Sequence, residues 1–317
     1  METLAKRLDI KVEIGEKLVI SAEKLVKKLG FETKNCLLVT DESIFKNCAG
    51  FFTDGFFDEL GEVLILEDPT PDEKNVEQII SAVTDFELII GLGSGVINDL
   101  CKYSSFKADK KYAIFASAAS MNGYLSQNAS IIINGHRKTE SAHLPVGVFC
   151  DYDLLRSAPK QMTKAGIGDL MCFYSCWFDW LLSHLLLETN YESECFEMLS
   201  EKMSEFIGGY QDFVLGEDEL LKIVIEILLL SGASMTLAGG SYPASQSEHL
   251  IAHSYSMKYP DKAKNVLHGL QIATTVLTSA KIQEEILAVD EISVRDLNFD
   301  ESKIASFYGD EIAAECK

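Results

Sequence analysis

The sequence predicts an α/β domain over residues 1–159 that is followed by an all-α domain over residues 160–317. Two observations support this fold class. In the first half, short apolar runs alternate with amphipathic helical segments, an order typical of a parallel sheet with crossover helices. From about Lys160 onward, apolar residues recur at helical spacing and β-branched runs are scarce. The boundary between the domains is therefore predicted near Pro159.

The elements can be assigned in chain order. Ser21–Leu29 is amphipathic, and Gly30 ends it as a helix C-cap would. A further helix is predicted from Pro69 to Val83. The predicted strands are 36–40, 63–66, 87–90, 112–116 and 146–150. The predicted helices of the second half are 161–187, 191–208, 217–238, 246–258 and 266–288.

The composition is that of a globular protein. The chain has 317 residues, of which 47% are hydrophobic and 24% are charged, and this length can bury a sizeable core. The net charge is 28 − 49 = −21, so the surface repels nucleic acid and anionic membranes. An anionic substrate would need a local basic or metal-centred pocket. Residues 1–12 lack an apolar signal-peptide core, which predicts a cytoplasmic protein.

Two strongly apolar stretches, Met171–Leu187 and Leu220–Ala238, resemble membrane spans. Both contain ionisable residues, and both are near or below the length that crosses a bilayer. We therefore expect buried helices and no stable membrane insertion.

The eight cysteines show no framework spacing and no CxxC pair, which predicts free thiols in a reducing compartment. Cys172 and Cys176 are four residues apart on a predicted helix. We expect both of them to lie in the core, where free cysteines are usually found.

A glycine-rich turn joins the strand near residue 90 to a helix. Glycines allow close backbone approach, and the free N–H groups of a helix N-terminus suit a phosphate. The pattern departs from GxGxxG because Asn98 occupies the third glycine position counted from Gly93. A structural turn without a ligand is the alternative. Asp41, which ends an earlier strand, either accepts hydrogen bonds from an adenosine ribose or caps the next helix.

Three of the six histidines fall within 20 residues. His249 and His253 are four apart, which places them on one face of a helix. His268 comes just before Gly269, where another helix is expected to start. Two histidines with one carboxylate and an open position form a catalytic metal site. The alternatives are a solvated helical face or a core histidine.

Asp169 is the candidate carboxylate. It follows Gly166 and Gly168 and leads into the apolar segment 170–187. An acid at such a place is unusual unless it caps the helix or binds a ligand. The remaining histidines are assigned no role; they are His136, His143 and His184.

Together these motifs resemble the sn-glycerol-1-phosphate dehydrogenases. That family is a branch of the superfamily that also holds glycerol dehydrogenase, iron-containing alcohol dehydrogenases and 3-dehydroquinate synthase. The matching pieces keep the family's order across roughly residues 37–270; they are 93–102, 119–126, 137–139, 151–155, 158–160, 165–170, 243–249, 253 and 268–269. The resemblance implies a dehydroquinate synthase-like fold, in which an N-terminal nucleotide-binding domain and a helical domain enclose the active site.

The resemblance also implies roles for individual residues. Asp169, His249 and His268 would hold one divalent metal, with zinc expected first and nickel or iron as alternatives. The implied cofactor is NAD(H) in preference to NADP(H), bound by Asp41, Gly93, Ser94, Gly95, Asn98, Asp99, Ser117, Ser120 and Ser126. The implied catalytic residues are His253, Asp169 and Lys102, and the implied substrate contacts are Asn122, Asp169 and His253.

The activity implied by the resemblance is reversible reduction of dihydroxyacetone phosphate to sn-glycerol 1-phosphate, by a homo-oligomer and with phospholipid biosynthesis as the first candidate pathway. Lys102, Arg137 and Lys138 are candidates to offset the substrate phosphate, or else solvated surface charges. Asn122 stands where the family usually has aspartate, so a dehydrogenase of glycerol or another small polyol is the second hypothesis. A catalytically idle nucleotide-binding homologue is the third.

Overall fold

The computed structural model describes residues 1–211, 216–263, 265–292 and 300–315. Six parallel strands form one sheet in the order β1-β8-β5-β4-β2-β3, and two antiparallel strands form a separate hairpin. The strands are β1 (Lys11–Gly15), β2 (Cys36–Asp41), β3 (Glu62–Leu66), β4 (Leu88–Gly93), β5 (Lys111–Ala116), β6 (Asn128–Ile133), β7 (His136–Ser141) and β8 (Gly147–Asp151). The predicted α/β region with a parallel sheet is confirmed.

The central strands are buried on both faces. Every residue of β4 and β8 is buried, and so are five of the six residues of β2 and of β5. Strands covered by helices on both faces read as nearly continuous apolar runs, which is why the sequence identified them. Strand β1 was not predicted, because it is an edge strand of the described sheet, paired with β8, and is largely half-buried.

The carboxyl ends of β2, β4 and β5 meet at one edge of the sheet. Val39 pairs with Gly91, and Gly93 pairs with Ala116. From β2 the chain continues to β3 on one side, whereas from β4 it continues to β5 on the other. The strand order therefore reverses between β2 and β4, and open α/β sheets bind ligands outside the strand ends at such a point.

The hairpin of β6 and β7 was also missed. Asn134 and Gly135 join its strands, and both have positive φ angles of 52° and 81°. A two-residue Asn-Gly loop is the strongest short-range sequence signal for a hairpin, so this element was predictable.

The described chain beyond β8 is helical. The α-helices of the described residues are α1 (Glu2–Arg7), α2 (Ala22–Lys28), α3 (Glu42–Cys48), α4 (Glu73–Ala82), α5 (Gly95–Lys107), α6 (Tyr152–Ser157), α7 (Lys160–Leu170), α8 (Phe173–Leu187), α9 (Glu194–Gln211), α10 (Glu217–Leu237), α11 (Ser247–Lys258), α12 (Pro260–Ala263), α13 (His268–Leu287), α14 (Glu301–Tyr308) and α15 (Asp310–Glu315). The sheet and the later helices share a core, because Ile114 and Val148 lie in one apolar cluster with Leu228. The domain boundary near Pro159, between α6 and α7, stays a prediction.

Two helical stretches, Lys160–Leu187 and Glu217–Leu237, are long and apolar enough to cross a membrane by length and composition alone. The most apolar window of the second stretch is 72% buried, so α10 is the buried helix that we expected. The corresponding window of the first stretch is only 33% buried. The expectation of a buried helix is wrong for the outer face of α8, where Tyr174 and Leu185 are exposed.

The cysteines at positions 36, 48, 101, 150, 172, 176 and 195 are buried free thiols. The core location predicted for Cys172 and Cys176 is confirmed. Cys316 lies outside the described residues.

Candidate metal centre and cofactor site

The three clustered histidines converge in the structure. His249 and His253 lie one turn apart on α11, and His268 is the first residue of α13. The ring centre of His268 is 5.1 Å from that of His249 and 5.8 Å from that of His253. The predicted cluster therefore exists, with its members on two neighbouring helices.

Asp169 completes the cluster from a third helix. Its Oδ1 atom lies 3.7 Å from His249 Nε2 and 3.8 Å from His268 Nε2. Asp169 does not cap an apolar helix, as the capping alternative required. It lies in the last turn of α7, and α8 begins after it at Phe173.

Glycines let α7 and α13 approach closely enough for this arrangement. A Cβ atom on Gly269 would lie 1.8 Å from the carbonyl oxygen of Ala165, and one on Gly168 would lie 2.2 Å from that of Gly269. Backbone contacts of this kind exclude any side chain at either glycine. Asp169 follows Gly168 in sequence, and His268 precedes Gly269. The close crossing of the two helices therefore places Asp169 and His268 side by side.

The residues fit a divalent metal. Oδ1 of Asp169 is buried, and no donor among the described residues hydrogen-bonds to it, although buried carboxylate oxygens are normally satisfied. One ligand atom from each of Asp169, His249 and His268 lies within 4.8 Å of the others. Nitrogen and carboxylate ligands suit zinc, nickel and iron. The His268 side chain is 44% exposed, which leaves the site open on one side, as catalysis requires.

The electrostatics of the cluster are strongly asymmetric. Burial disfavours protonation of His249, but the neighbouring carboxylates of Asp169 and Glu248 outweigh it and raise its pKa to about 10. Both His253 and His268 are exposed on one side, but the packing around their rings still removes water and lowers their pKa, and the positive charges of His249 and Arg137 add to this effect. The carboxylates of Asp169 and Glu248 therefore stabilise a positive charge at His249.

The glycine turn lies at the carboxyl end of β4, where the strand order reverses. A Cβ on Gly93 would lie 2.5 Å from Ile97, so this glycine allows α5 to pack on its own strand. A Cβ on Gly95, the first residue of α5, would lie 3.4 Å from the Met121 side chain, which is ordinary van der Waals contact. Asp41 accepts a 2.8 Å hydrogen bond from the Ile44 backbone N–H, which confirms the capping alternative. Its ribose contact stays a prediction.

The predicted serines lie on the segment that follows β5. Ser117, Ser120 and Ser126 are all buried. The backbone N–H of Ser117 donates to the carbonyl oxygen of Gly93 at 2.9 Å. This bond ties the serine segment to the glycine turn, so both belong to one candidate cofactor site.

Lys102 is a buried residue, and its predicted catalytic role stays a prediction. Its side chain is fully buried, and Nζ donates to the carbonyl oxygens of Gly123 at 2.7 Å and Asn128 at 2.9 Å. The alternative of a solvated surface charge is therefore wrong. Burial lowers the pKa of Lys102 to about 8, although Asp99 opposes the shift. The geometry favours a role in positioning the loop before β6 over direct catalysis.

Asn98 and Asp99 belong to the same buried network. The Asn98 amide donates to Asp99 Oδ1 at 3.2 Å and more weakly to the Gly123 carbonyl oxygen. Asp99 Oδ2 accepts from the Ser130 backbone N–H at 3.2 Å. Asn98 therefore supports the loop that carries Asn122, whereas Asp99 supports β6; their cofactor contacts stay a prediction.

Asn122 connects the cofactor loop to the metal centre. Its backbone N–H donates to Asp169 Oδ2 at 3.2 Å, and its amide donates to Ser231 Oγ at 3.3 Å. A Cβ on Gly232 would lie 2.3 Å from the Asn122 carbonyl oxygen, so α10 packs directly against this loop. The predicted substrate residue thus stands beside the predicted metal ligand.

Comparisons with known proteins show which family the chain is similar to. Residues 13–159 match the iron-containing alcohol dehydrogenase family. The glycerol-1-phosphate dehydrogenase (NAD(P)+) of Pyrococcus horikoshii is 32% identical over 263 residues, which cover 82% of this chain and 74% of that protein. The chain belongs to the glycerol-1-phosphate dehydrogenase family. The member from Geobacillus thermodenitrificans is 31% identical over 211 residues, which cover 66% of this chain and 52% of that relative.

This family member spans only part of some relatives. It covers 52% and 53% of the length of the two Geobacillus glycerol-1-phosphate dehydrogenases that it matches. Solved structures agree in fold. A probable glycerol dehydrogenase from Sinorhizobium meliloti superposes with a TM-score of 0.66 at 18% identity, covering 84% of this chain and 74% of that one. The glycerol dehydrogenase of Schizosaccharomyces pombe superposes with a TM-score of 0.64 at 19% identity, covering 96% of this chain and 75% of that one.

Two polar residues of this glycerol-1-phosphate dehydrogenase family member were missed by the sequence analysis. Ser231 is buried on α10 and faces Asn122. Glu248 is fully buried beside His249. Burial opposes ionisation of Glu248, but hydrogen bonds from His249, the Gln246 backbone and Ser175 lower its pKa to about 2. An acid directly before a candidate ligand was the available signal.

Proposed function

We propose that this protein catalyses the reversible reduction of dihydroxyacetone phosphate to sn-glycerol 1-phosphate, using NAD(H) and one divalent metal. The observation that carries the proposal is the buried Oδ1 of Asp169. It faces the Nε2 atoms of His249 and His268 and accepts no hydrogen bond from the described residues. Relatives named for this activity support the substrate class.

Asp169, His249 and His268 would hold the metal, with zinc expected first and nickel or iron as alternatives. A bound divalent metal would polarise the substrate carbonyl and stabilise the developing alkoxide. His253 lies on the same face of α11, one turn from His249, and its ring is exposed. It can therefore pass a proton to the substrate oxygen, directly or through water.

NAD(H) would give or accept the hydride. The N-terminus of α5 would bind its pyrophosphate. Ser94 and Gly95 present backbone N–H groups there, beside the point where the strand order reverses. Asp41 ends the neighbouring strand and would favour NAD(H), because its charge repels the 2′-phosphate of NADP(H). Ser117, Ser120 and Ser126 would line the same site.

Arg137 is our candidate for the substrate phosphate. It lies on β7, is exposed, and donates from Nη1 to Ser130 Oγ at 3.1 Å. Its positive charge lowers the pKa of both His253 and His268, which supports a place for it near the candidate metal centre. Lys102 is less suited because its ammonium already serves two carbonyl oxygens.

A two-substrate assay with an Arg137 variant tests this assignment. We expect the wild-type enzyme to oxidise NADH faster with dihydroxyacetone phosphate than with dihydroxyacetone. Arg137→Gln should lower kcat/KM for the phosphorylated ketone by roughly 10-fold to 100-fold, because hydrogen bonds to charged groups contribute about 1.5–3 kcal/mol. The value for dihydroxyacetone should be unchanged.

The second candidate function is oxidation of glycerol or another small polyol, and Asn122 is the observation that favours it. Its amide lacks the charge of the usual aspartate and donates to Ser231 Oγ, while its backbone N–H donates to Asp169. Faster turnover of dihydroxyacetone than of its phosphate by the wild-type enzyme would support this function and contradict the first. If Arg137→Gln lowered kcat/KM equally for both ketones, the assignment of Arg137 to the substrate phosphate would be wrong.

The cellular setting is part of the proposal. We propose a cytoplasmic homo-oligomer that acts on a small phosphorylated three-carbon substrate and binds neither nucleic acid nor membrane. The net charge of −21 supports the last point, because such a surface repels both polyanions.

A further inference from the structure

We propose that Glu248 is a positioning residue, which fixes the His249 imidazole so that Nε2 faces the metal. This inference rests on the metal site proposed above. His249 Nδ1 lies 2.8 Å from Glu248 Oε1, whereas Nε2 faces Asp169 Oδ1 on the other side of the ring. One imidazole thus contacts two buried carboxylates through its two nitrogens.

Glu248 is itself held in place by several donors. Its Oε1 atom also accepts from the Gln246 backbone N–H at 2.8 Å and from Cys176 Sγ at 3.2 Å. Its Oε2 atom accepts from Ser175 Oγ at 2.8 Å. Because Ser175 and Cys176 belong to α8, the carboxylate joins α8 to α11 and has little freedom to turn.

The same geometry argues against Glu248 as a metal ligand. Cys172, Glu248 and His249 also bring one potential ligand atom each within 4.8 Å of one another. However, both oxygens of Glu248 already accept hydrogen bonds, and Cys172 Sγ donates to the Ala244 carbonyl oxygen at 3.4 Å. Oδ1 of Asp169 has no such partner among the described residues. The cation is therefore expected on the Asp169 side.

The chemical consequence concerns the tautomer of His249. An acceptor at Nδ1 keeps the proton on that nitrogen, which leaves the lone pair of Nε2 for the metal. A carboxylate in this position also raises the basicity of the ligand and fixes the plane of the ring. Glu248 therefore acts on the metal through His249.

The inference is tested by the zinc affinity of the Glu248→Gln variant. This affinity is measured by competition with a chromophoric chelator. We expect the zinc Kd to rise by about 10-fold to 100-fold, the usual cost of losing such a partner. Ser175→Ala is the matched control. It removes one hydrogen bond from the same buried carboxylate but leaves the bond to His249, so its zinc Kd should change by no more than about threefold. Thermal unfolding of both metal-free variants measures their structural damage separately.

Unchanged zinc affinity in Glu248→Gln would overturn the inference, and so would an equal loss in Ser175→Ala. If Glu248→Gln does not fold, Glu248→Asp replaces it. That variant keeps the charge but draws the carboxylate back by one methylene, so a weaker zinc Kd is again expected and an unchanged one would refute the role. A wild-type protein that binds none of zinc, nickel and iron would instead contradict the metal site itself.

Discussion

His268→Ala is expected to lose the bound metal and to lower kcat/KM by about three orders of magnitude, because Lewis-acid activation contributes several kcal/mol and each 1.36 kcal/mol is tenfold in rate. His268 supplies one of three ligand atoms that lie within 4.8 Å of one another. Its side chain is 44% exposed at the start of α13, so alanine should leave the fold largely intact. Metal content and NADH oxidation are measured on the same preparation.

His253→Ala is the matched comparison for this prediction. His253 is the neighbour of His249 on α11, with ring centres 5.9 Å apart, and we place it beside the substrate. This variant should keep the metal and lose turnover. If His268→Ala retained both metal and activity, or if His253→Ala lost the metal instead, the ligand assignment would be wrong.

Gly269→Ala should destabilise the protein by about 3 kcal/mol, at the upper end of what overpacking usually costs. The added Cβ would lie 1.8 Å from the Ala165 carbonyl oxygen and 3.0 Å from the Asp169 backbone nitrogen. Since the obstacle is backbone, α13 must move away from α7. That movement separates His268 from Asp169, so zinc affinity should fall as well. Urea unfolding of the metal-free protein and zinc competition measure the two effects.

Gly208→Ala controls for the change of residue type. Gly208 lies within α9, and a Cβ there would meet no atom of the described residues within 4 Å apart from its own helix backbone. Alanine is favoured over glycine in a helix by about 1 kcal/mol, so this variant should be as stable as wild type or slightly more stable. Two results together would refute the close α7–α13 contact. Gly269→Ala would have to be as stable as Gly208→Ala, and it would have to bind zinc as tightly as the wild-type protein.

Much of the fold could be predicted because local pattern and burial agree. The apolar runs of β2, β4, β5 and β8 are buried on both faces, and the long helices follow their apolar periodicity. The missed strands had other signals. β1 is an edge strand with polar alternation, and the Asn134–Gly135 loop of the hairpin was present in the sequence but overlooked. The exposed face of α8 depends on tertiary packing, which composition does not specify.

The site was predictable where sequence spacing fixes geometry. His249 and His253 share a helix face because they are four residues apart. The position of Asp169 at the end of α7 was not predictable, because Met171 and Cys172, the two residues between α7 and α8, include no glycine or proline. Burial of Lys102 and Glu248 also depends on partners distant in sequence, such as Asn128 and Ser175.

Metal reconstitution of the purified protein tests the central claim most directly. The protein is stripped with a chelator and titrated with zinc, while bound zinc and NADH oxidation with dihydroxyacetone phosphate are followed together. We predict that one zinc binds per chain and that activity rises in proportion to it. No turnover with zinc, nickel or iron restored would favour a catalytically idle homologue. Turnover that persists in the stripped protein would contradict the role of Asp169, His249 and His268.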